Sequence, residues 1–195
     1  MYLQVKGMKK SYGEGGSYIQ VLKGISTGVE KGEIKMEIKK LIVLTCGEAN
    51  RSFTQLSEDG IRQSEIVSIK IASMIGNEAA KIVIPNYGNE PIKHTARTIF
   101  LKVREKSSFF VPSYTSFGNE TTNIWRILDT IYSDRQMINH QDYTVIVVMC
   151  SSSINRFMRY FCEDNGIIPF TSNQTPGHCC GYEIDCEHKK CNTFE

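Results

Sequence analysis

From Lys39 onward the hydrophobic pattern alternates between short continuous runs and sets spaced for one face of a helix. Leu41-Ile42-Val43-Leu44 forms the middle of a buried strand expected over Lys39 to Thr45. Ser57-Glu58-Asp59-Gly60 then opens a helix whose apolar positions Ile66, Ile69 and Met74 recur at helical spacing. A second short strand is expected over Lys81 to Ile84, and Pro91 stands where it can start the next helix, running to about Arg104. A longer amphipathic stretch from about Glu120 to Asp134 carries Ile124, Leu128 and Ile131 at i, i+4, i+7. Tyr143 to Met149 is the clearest strand, and Ser151 to Cys162 reads as the helix after it. This order predicts a three-layer α/β fold, with a mainly parallel central sheet and helices on both faces. Ligands in such folds gather at the carboxyl ends of the strands, where Cys46 and Cys150 both fall.

The first 35 residues follow a different pattern. Leu3-Gln4-Val5-Lys6 and Tyr18-Ile19-Gln20-Val21-Leu22 are short alternating segments around a glycine-rich break, Ser11-Tyr12-Gly13-Glu14-Gly15-Gly16, suited to a hairpin. The stretch LQVKGMKKSYGEGGSYIQVLKGISTGVEKGEI resembles the opening strands of an ABC-transporter ATPase. That resemblance implies an adenine-stacking role for Tyr12, with a phosphate loop directly after Glu33-Ile34. Instead the chain continues Lys35-Met36-Glu37-Ile38-Lys39-Lys40, and G-x-x-x-x-G-K-[ST] occurs nowhere. Without backbone amides and a lysine to hold the β- and γ-phosphates, ATP hydrolysis is excluded. Residues 1 to 35 are therefore expected to be an ABC-ATPase-like N-terminal hairpin or a fusion remnant, and residues 36 to 195 a separate domain.

Composition narrows the partners. With 23 basic against 21 acidic residues and a net charge of +2, nothing favours nucleic acid or an anionic membrane. The apolar runs fall far short of the roughly 20 residues that span a bilayer. Seven cysteines are an odd number in a chain large enough to need no staples, so a reducing, cytoplasmic setting is expected rather than a disulfide framework.

Four stretches of the second part line up, in order, with the motifs of the histidine phosphatases, the phosphoglycerate-mutase-like superfamily. Leu41-Ile42-Val43-Leu44-Thr45-Cys46-Gly47-Glu48 resembles the family's first strand and its Arg-His-Gly-Glu ending, with Thr45 and Cys46 in place of the arginine and the nucleophilic histidine. Leu56-Ser57-Glu58-Asp59-Gly60-Ile61-Arg62-Gln63 is similar to the next motif, LTELGREQ, and is nearly intact. Glu90-Pro91-Ile92-Lys93-His94-Thr95-Ala96-Arg97-Thr98 is similar to SPLKRAxQT, with His94 at the phosphate-binding arginine. Val145-Ile146-Val147-Val148-Met149-Cys150 resembles the strand that ends in the second catalytic histidine, with Cys150 at that position. Gly118-Asn119-Glu120-Thr121 is a weaker match to GGES, and the resemblance covers residues 36 to 184. It implies a site with Cys46, His94, Glu120 and Cys150 at the catalytic positions. It also implies phosphate-binding positions at Thr45, Gly47, Arg51 and Ser151.

The chemistry implied by the family is impaired at these positions. Phosphoryl transfer to an imidazole depends on fixed cations around the phosphate, and Thr45 carries no charge. A cysteine needs neighbouring cations to become a useful thiolate. The reading is therefore a catalytically impaired phosphatase-like protein, a binding or regulatory module with a residual anion pocket, taking a phosphorylated small molecule or protein and needing no cofactor. The alternative is an active phosphatase or mutase with Cys46 or Cys150 as nucleophile. Cys150 to Arg156 has the C-x5-R spacing of cysteine phosphatases, whereas Cys46 to Arg51 is one residue short. His178, Cys179, Cys180, Cys186, His188 and Cys191 crowd soft ligands together, but without the paired C-x2-C spacing of a zinc site, and no metal is expected.

Overall fold

A computed structural model describes residues 3–14, 17–29, 38–85, 90–107, 109–115, 120–133, 143–167 and 174–195. The chain divides into two compact units, Met1–Met36 and Glu37–Glu195. The first is a two-stranded antiparallel sheet of β1 (Leu3–Glu14) and β2 (Ser17–Val29). The strands reach further than the alternation alone predicts: Ser11 pairs with Gln20 and Glu14 with Ser17, so most of the glycine-rich break is itself strand. Three register shifts along the ladder explain why the alternation looks broken in sequence, because each shift moves side chains relative to their partners.

The second unit alternates strand and helix as expected. Its elements are β3 (Ile38–Thr45), α1 (Glu58–Ile75), β4 (Ala80–Pro85), α2 (Glu90–Arg104), β5 (Phe110–Thr115), α3 (Glu120–Ser133), β6 (Tyr143–Met149), α4 (Ser151–Asp164), β7 (Gly181–Asp185) and β8 (Lys190–Phe194). They build a six-stranded sheet in the order β5-β4-β6-β3-β7-β8. The four strands from β5 to β3 are parallel, while β7 runs antiparallel to β3 and β8 antiparallel to β7, extending the sheet beyond β3. The α/β class with a mainly parallel sheet is thus the observed one.

Period-2 alternation divides the strands between two cores. Ile42, Leu44, Ile82, Ile146 and Val148 pack with Val67, Ile71 and Ala72 of α1 and with Ile92, Ala96, Ile99 and Val103 of α2. The intervening Leu41, Val43, Val145 and Val147 are equally buried, as are Ile124, Ile127 and Leu128 of α3 and Phe157, Met158 and Phe161 of α4. Both sheet faces are covered, which is why the central strands read as continuous apolar runs.

Helix α1 begins where Ser57 accepts a hydrogen bond from the Gly60 amide at 3.0 Å, satisfying one of the orphan donors of the first turn. The face that it buries differs from the expected one. Ile66 and Ile69 are 69% and 53% exposed, Met74 is half-buried, and the core face is instead Ser64, Val67, Ser68, Ile71, Ala72 and Ile75. Two serines sit on the buried face and two isoleucines on the outer one, so hydrophobicity alone points to the wrong side. Strands β5 and β8 carry little sequence signal because they are the two edges of the sheet, and an edge tolerates Pro112 and the polar Lys190-Cys191-Asn192-Thr193.

Candidate functional site

Strands β3 and β6 are adjacent, yet their connections leave toward opposite faces: α1 follows β3 on one side and α4 follows β6 on the other. Their carboxyl ends form the topological switch point of the sheet, the place where a crevice opens in such folds. Thr45, Cys46, Gly47 and Cys150 come together there. Thr45 pairs with Met149, and the Cys46 amide donates to the Met149 carbonyl at 3.3 Å.

The four consecutive amides from Thr45 to Glu48 already have protein partners. The Thr45 amide donates to the Cys180 carbonyl at 3.0 Å and the Cys46 amide to Met149. The Gly47 amide donates to Thr95 Oγ1 at 3.1 Å, and the Glu48 amide to Gln63 Oε1 at 2.9 Å. The Thr45 hydroxyl is engaged as well, between the Gly177 carbonyl and the Cys180 backbone. A phosphate at Thr45 and Gly47 would need those amides free and aimed at it, and four amides in a row are committed elsewhere.

The same bonds bring in residues that motif reading passed over. Thr95 and Ser64 are buried and lie 3.0 Å apart between α2 and α1, and Ser64 also donates to the Gly60 carbonyl at 2.8 Å. The turn 177–180 is pinned to β3 through Thr45, and it turns Cys179 inward at a positive φ of 54° until its sulfur lies 3.9 Å from Ser64 Oγ. The Cys179 amide closes the arrangement by donating to the Cys46 carbonyl at 3.2 Å. A Pro176-Gly177 turn before paired cysteines was the available signal.

Among the described residues, what accumulates at the switch point is therefore thiol. Burial pushes the Cys46 thiol up to about 11, the neighbouring Cys150 adds to the rise, and no lysine or arginine among the described residues offsets it. Burial likewise pushes Cys179 up to about 12. A nucleophilic cysteine needs the opposite surroundings.

The other expected site residues are dispersed. His94 is exposed, because it lies one residue from the inward-facing Thr95 and successive helical positions diverge by about 100°. It lines a surface cavity of about 590 Å³ together with Thr54, Gln55, Glu90, Arg97 and Leu101. Arg51 is exposed in the turn after β3, and Ser151 is exposed as the first residue of α4. Gly118 and Asn119 lie outside the described residues, as does the side chain of Glu120. The C-x5-R spacing does not build a phosphate loop: Ser151 to Arg156 are already helix, and Arg156 is exposed in its second turn instead of closing a loop around the sulfur.

The C-terminal cysteines are split by β7. Cys179 and Cys180 precede it at the switch point, while Cys186 and Cys191 lie at its far end with Cys162 of α4 as their neighbour. Among the described residues, no three His, Cys, Asp or Glu side chains are placed to hold a metal ion.

Four of these buried thiols imply an alkaline limit on stability. Cys46 and Cys162 are pushed to about 11, and Cys179 and Cys186 to about 12, from an ordinary value of 9.0. The folded state holds these protons more tightly than the unfolded chain does, so the contribution is complete below about pH 9 and is lost as pH rises toward 11 and 12. A urea titration of the reduced protein is expected to show a constant midpoint from pH 7 to 8.5 and a steady fall above pH 9. An unchanged midpoint at pH 10.5 contradicts burial of these thiols.

No family model and no curated protein matches the sequence. Solved structures do match the fold. The protein assigned as the phosphohistidine phosphatase SixA of Agrobacterium tumefaciens superposes with a TM-score of 0.51 at 12% identity, over 76% of this chain and 92% of that one. A mycobacterial glucosyl-3-phosphoglycerate phosphatase gives a TM-score of 0.52 at 11% identity, over 80% of this chain and 96% of its own. The same enzyme in complex with VO3 gives 0.52 over 97% of its chain. These are histidine-phosphatase-superfamily structures, and at such identities the likeness is one of fold.

Proposed function

We propose that this chain is a phosphatase-fold protein without phosphoryl-transfer activity, working as a binding or regulatory module. The observation that carries the reading is the turn from Thr45 to Glu48, whose four amides are all bonded within the protein. A transferring phosphoryl group needs fixed donors and cations around its equatorial oxygens, and loss of a single such donor costs about 10²–10³ in rate. Here Cys46 and Cys150 stand at the positions that the resemblance gives to imidazoles, burial raises the Cys46 thiol, and the amides are occupied. The surface that suits a phosphorylated ligand is the cavity outside α2. There His94 and Arg97 face solvent, and the Glu90 carboxylate is already engaged by Lys93 at 2.8 Å. Met1–Met36 is a compact unit of its own, and this role does not draw on it. Seven free thiols suit a reducing cytoplasm.

The test measures phosphate release from an activated aryl phosphate between pH 5 and 8, for the parent, Cys46→Ser and Cys150→Ser. Release is expected to stay at the no-protein background for all three. A parallel titration with phenyl phosphate is expected to shift the His94 imidazole resonances and to lose that shift in Arg97→Ala. Turnover that disappears in Cys150→Ser or Cys46→Ser establishes the cysteine-nucleophile reading instead.

A further inference from the structure

We propose that Cys46 and Cys150 are a redox-sensitive dithiol that a hydroperoxide converts into an intramolecular disulfide. The argument starts from strand register. Thr45 pairs with Met149, and the Cys46 amide bonds the Met149 carbonyl, so Cys46 and Cys150 are the next positions along two neighbouring parallel strands. Neighbouring strands run about 4.8 Å apart, inside the roughly 4.4–6.8 Å separation of Cα atoms that disulfides require. Both side chains pack against the same face of the sheet, the one covered by α1 and α2, so their Cα–Cβ bonds project to the same side. Both are half-buried and free. The charge of one sulfur is felt by the other, as the rise that Cys150 adds at Cys46 shows.

The two thiols have different surroundings, and these assign their roles. The Cys150 sulfur lies 3.3 Å from the hydroxyl of exposed Ser152 and 3.1 Å from that of Ser153, at the N-terminus of α4. Both sulfurs pack against the apolar core, but it is Cys46 whose thiol burial raises and keeps protonated. Cys150 is therefore the sulfur that meets the oxidant and Cys46 the one that resolves the product. In the first step the Cys150 thiolate attacks the nearer oxygen of the hydroperoxide. An S–O bond forms, the O–O bond breaks, and the departing alkoxide or hydroxide takes up a proton to leave as alcohol or water. In the second, the Cys46 sulfur attacks the Cys150 sulfenic acid. The S–S bond forms, the S–O bond breaks, and the hydroxide leaves as water with the proton of the Cys46 thiol. Two thiols lose two electrons and two protons, and the hydroperoxide gains them. A dithiol reductant returns the pair to its starting state.

The bond ties the ends of β3 and β6 together at the switch point, where the connections to α1 and α4 diverge. It does not depend on the proposed lack of phosphatase activity, since it uses neither phosphate nor the cavity outside α2.

The experiment uses the full chain, fully reduced and then exposed to about a tenfold excess of hydrogen peroxide before alkylation and peptide mapping. The expected product is a monomer lighter by about 2 Da that contains linked Cys46 and Cys150 peptides and is reversed by dithiothreitol. Cys46→Ser, treated in the same way, is expected to accumulate a dimedone-reactive sulfenic acid at Cys150. Cys150→Ser is expected to yield neither linkage nor adduct at these positions. Because the parent alone reports the linkage, the test stands even if a variant folds poorly. A bond to Cys179, a bond only among Cys162, Cys186 and Cys191, a bond between two chains, or oxidation without a bond each overturns the proposal.

Discussion

Gly60→Ala is expected to destabilise the second unit by about 3 kcal/mol or more, although alanine in place of glycine inside a helix ordinarily gains up to about 1 kcal/mol. An added Cβ at residue 60 would stand 2.0 Å from the Glu48 carbonyl oxygen and 2.8 Å from the Glu48 amide nitrogen. A Cβ on Gly47 would stand 2.4 Å from the Gly60 carbonyl oxygen. Two backbones touch here with no room for a methyl group, and neither can withdraw. The turn after β3 is held by four amide bonds, and the start of α1 is held by the Ser57 cap. Urea unfolding of Gly60→Ala and the parent gives the difference, provided the slope with denaturant is unchanged. Gly177→Ala is the control: an added methyl there meets nothing closer than 3.7 Å, and the expected change is below about 1 kcal/mol. A Gly60→Ala protein as stable as the parent contradicts the close approach of the turn to α1.

That contact also shows what the sequence makes legible. Gly47 and Gly60 belong to two motifs recognised separately, and the structure shows that they are two sides of one interface. The alternation of apolar runs with helix-spaced sets was enough for β3, β4, β6 and all four helices, because each of these elements is buried on a continuous stripe or on both faces. It failed where burial and hydrophobicity part company. On α1, Ser64 and Ser68 face inward because Ser64 bonds Thr95 and the Gly60 carbonyl and Ser68 bonds the Glu65 carbonyl, while Ile66 and Ile69 face out. Strand β5 was missed at the sheet edge, where a proline costs no ladder bond that the fold requires.

The candidate site was legible in part, for a related reason. A strand ending in Cys46 and another ending in Cys150 must bring the two together once the strands are neighbours, and neighbourhood follows from the α/β alternation. The placement of His94 does not follow, because a helical position is set by rotation about the helix axis, and Thr95 takes the inward direction. The engagement of Thr45 was equally out of reach, since its partners Gly177 and Cys180 lie more than a hundred residues away in sequence.

Lys81→Glu is the second large expected effect, at about 3–5 kcal/mol of lost stability. Lys81 sits in β4 and reads in sequence as the polar start of a short strand, yet it is 0% exposed. Its ammonium donates to the Thr130 carbonyl at 2.9 Å and to the Ile131 carbonyl at 3.4 Å, both in the last turn of α3. No basic residue of α3 occupies that last turn, so a lysine from the sheet supplies the cation that the helix C-terminus favours and satisfies carbonyls left without helical donors. It also lies 5.9 Å from the centre of the Tyr143 ring, on the electron-rich side that attracts a cation. A glutamate there would turn a buried attraction into a carboxylate facing carbonyl oxygens, and it would escape only by taking up a proton. The loss is therefore expected to be largest at neutral pH and to shrink as pH is lowered toward 5. Lys81→Met, which keeps the length and removes the charge, leaves the two carbonyls without their donor but ends the cost of burying an ammonium. Its expected loss is smaller, about 1–2 kcal/mol. Urea midpoints of the three proteins at pH 5 and pH 7.5 separate these cases. If Lys81→Glu unfolds within about 1 kcal/mol of the parent at pH 7.5, the ammonium is in solvent and does not cap α3.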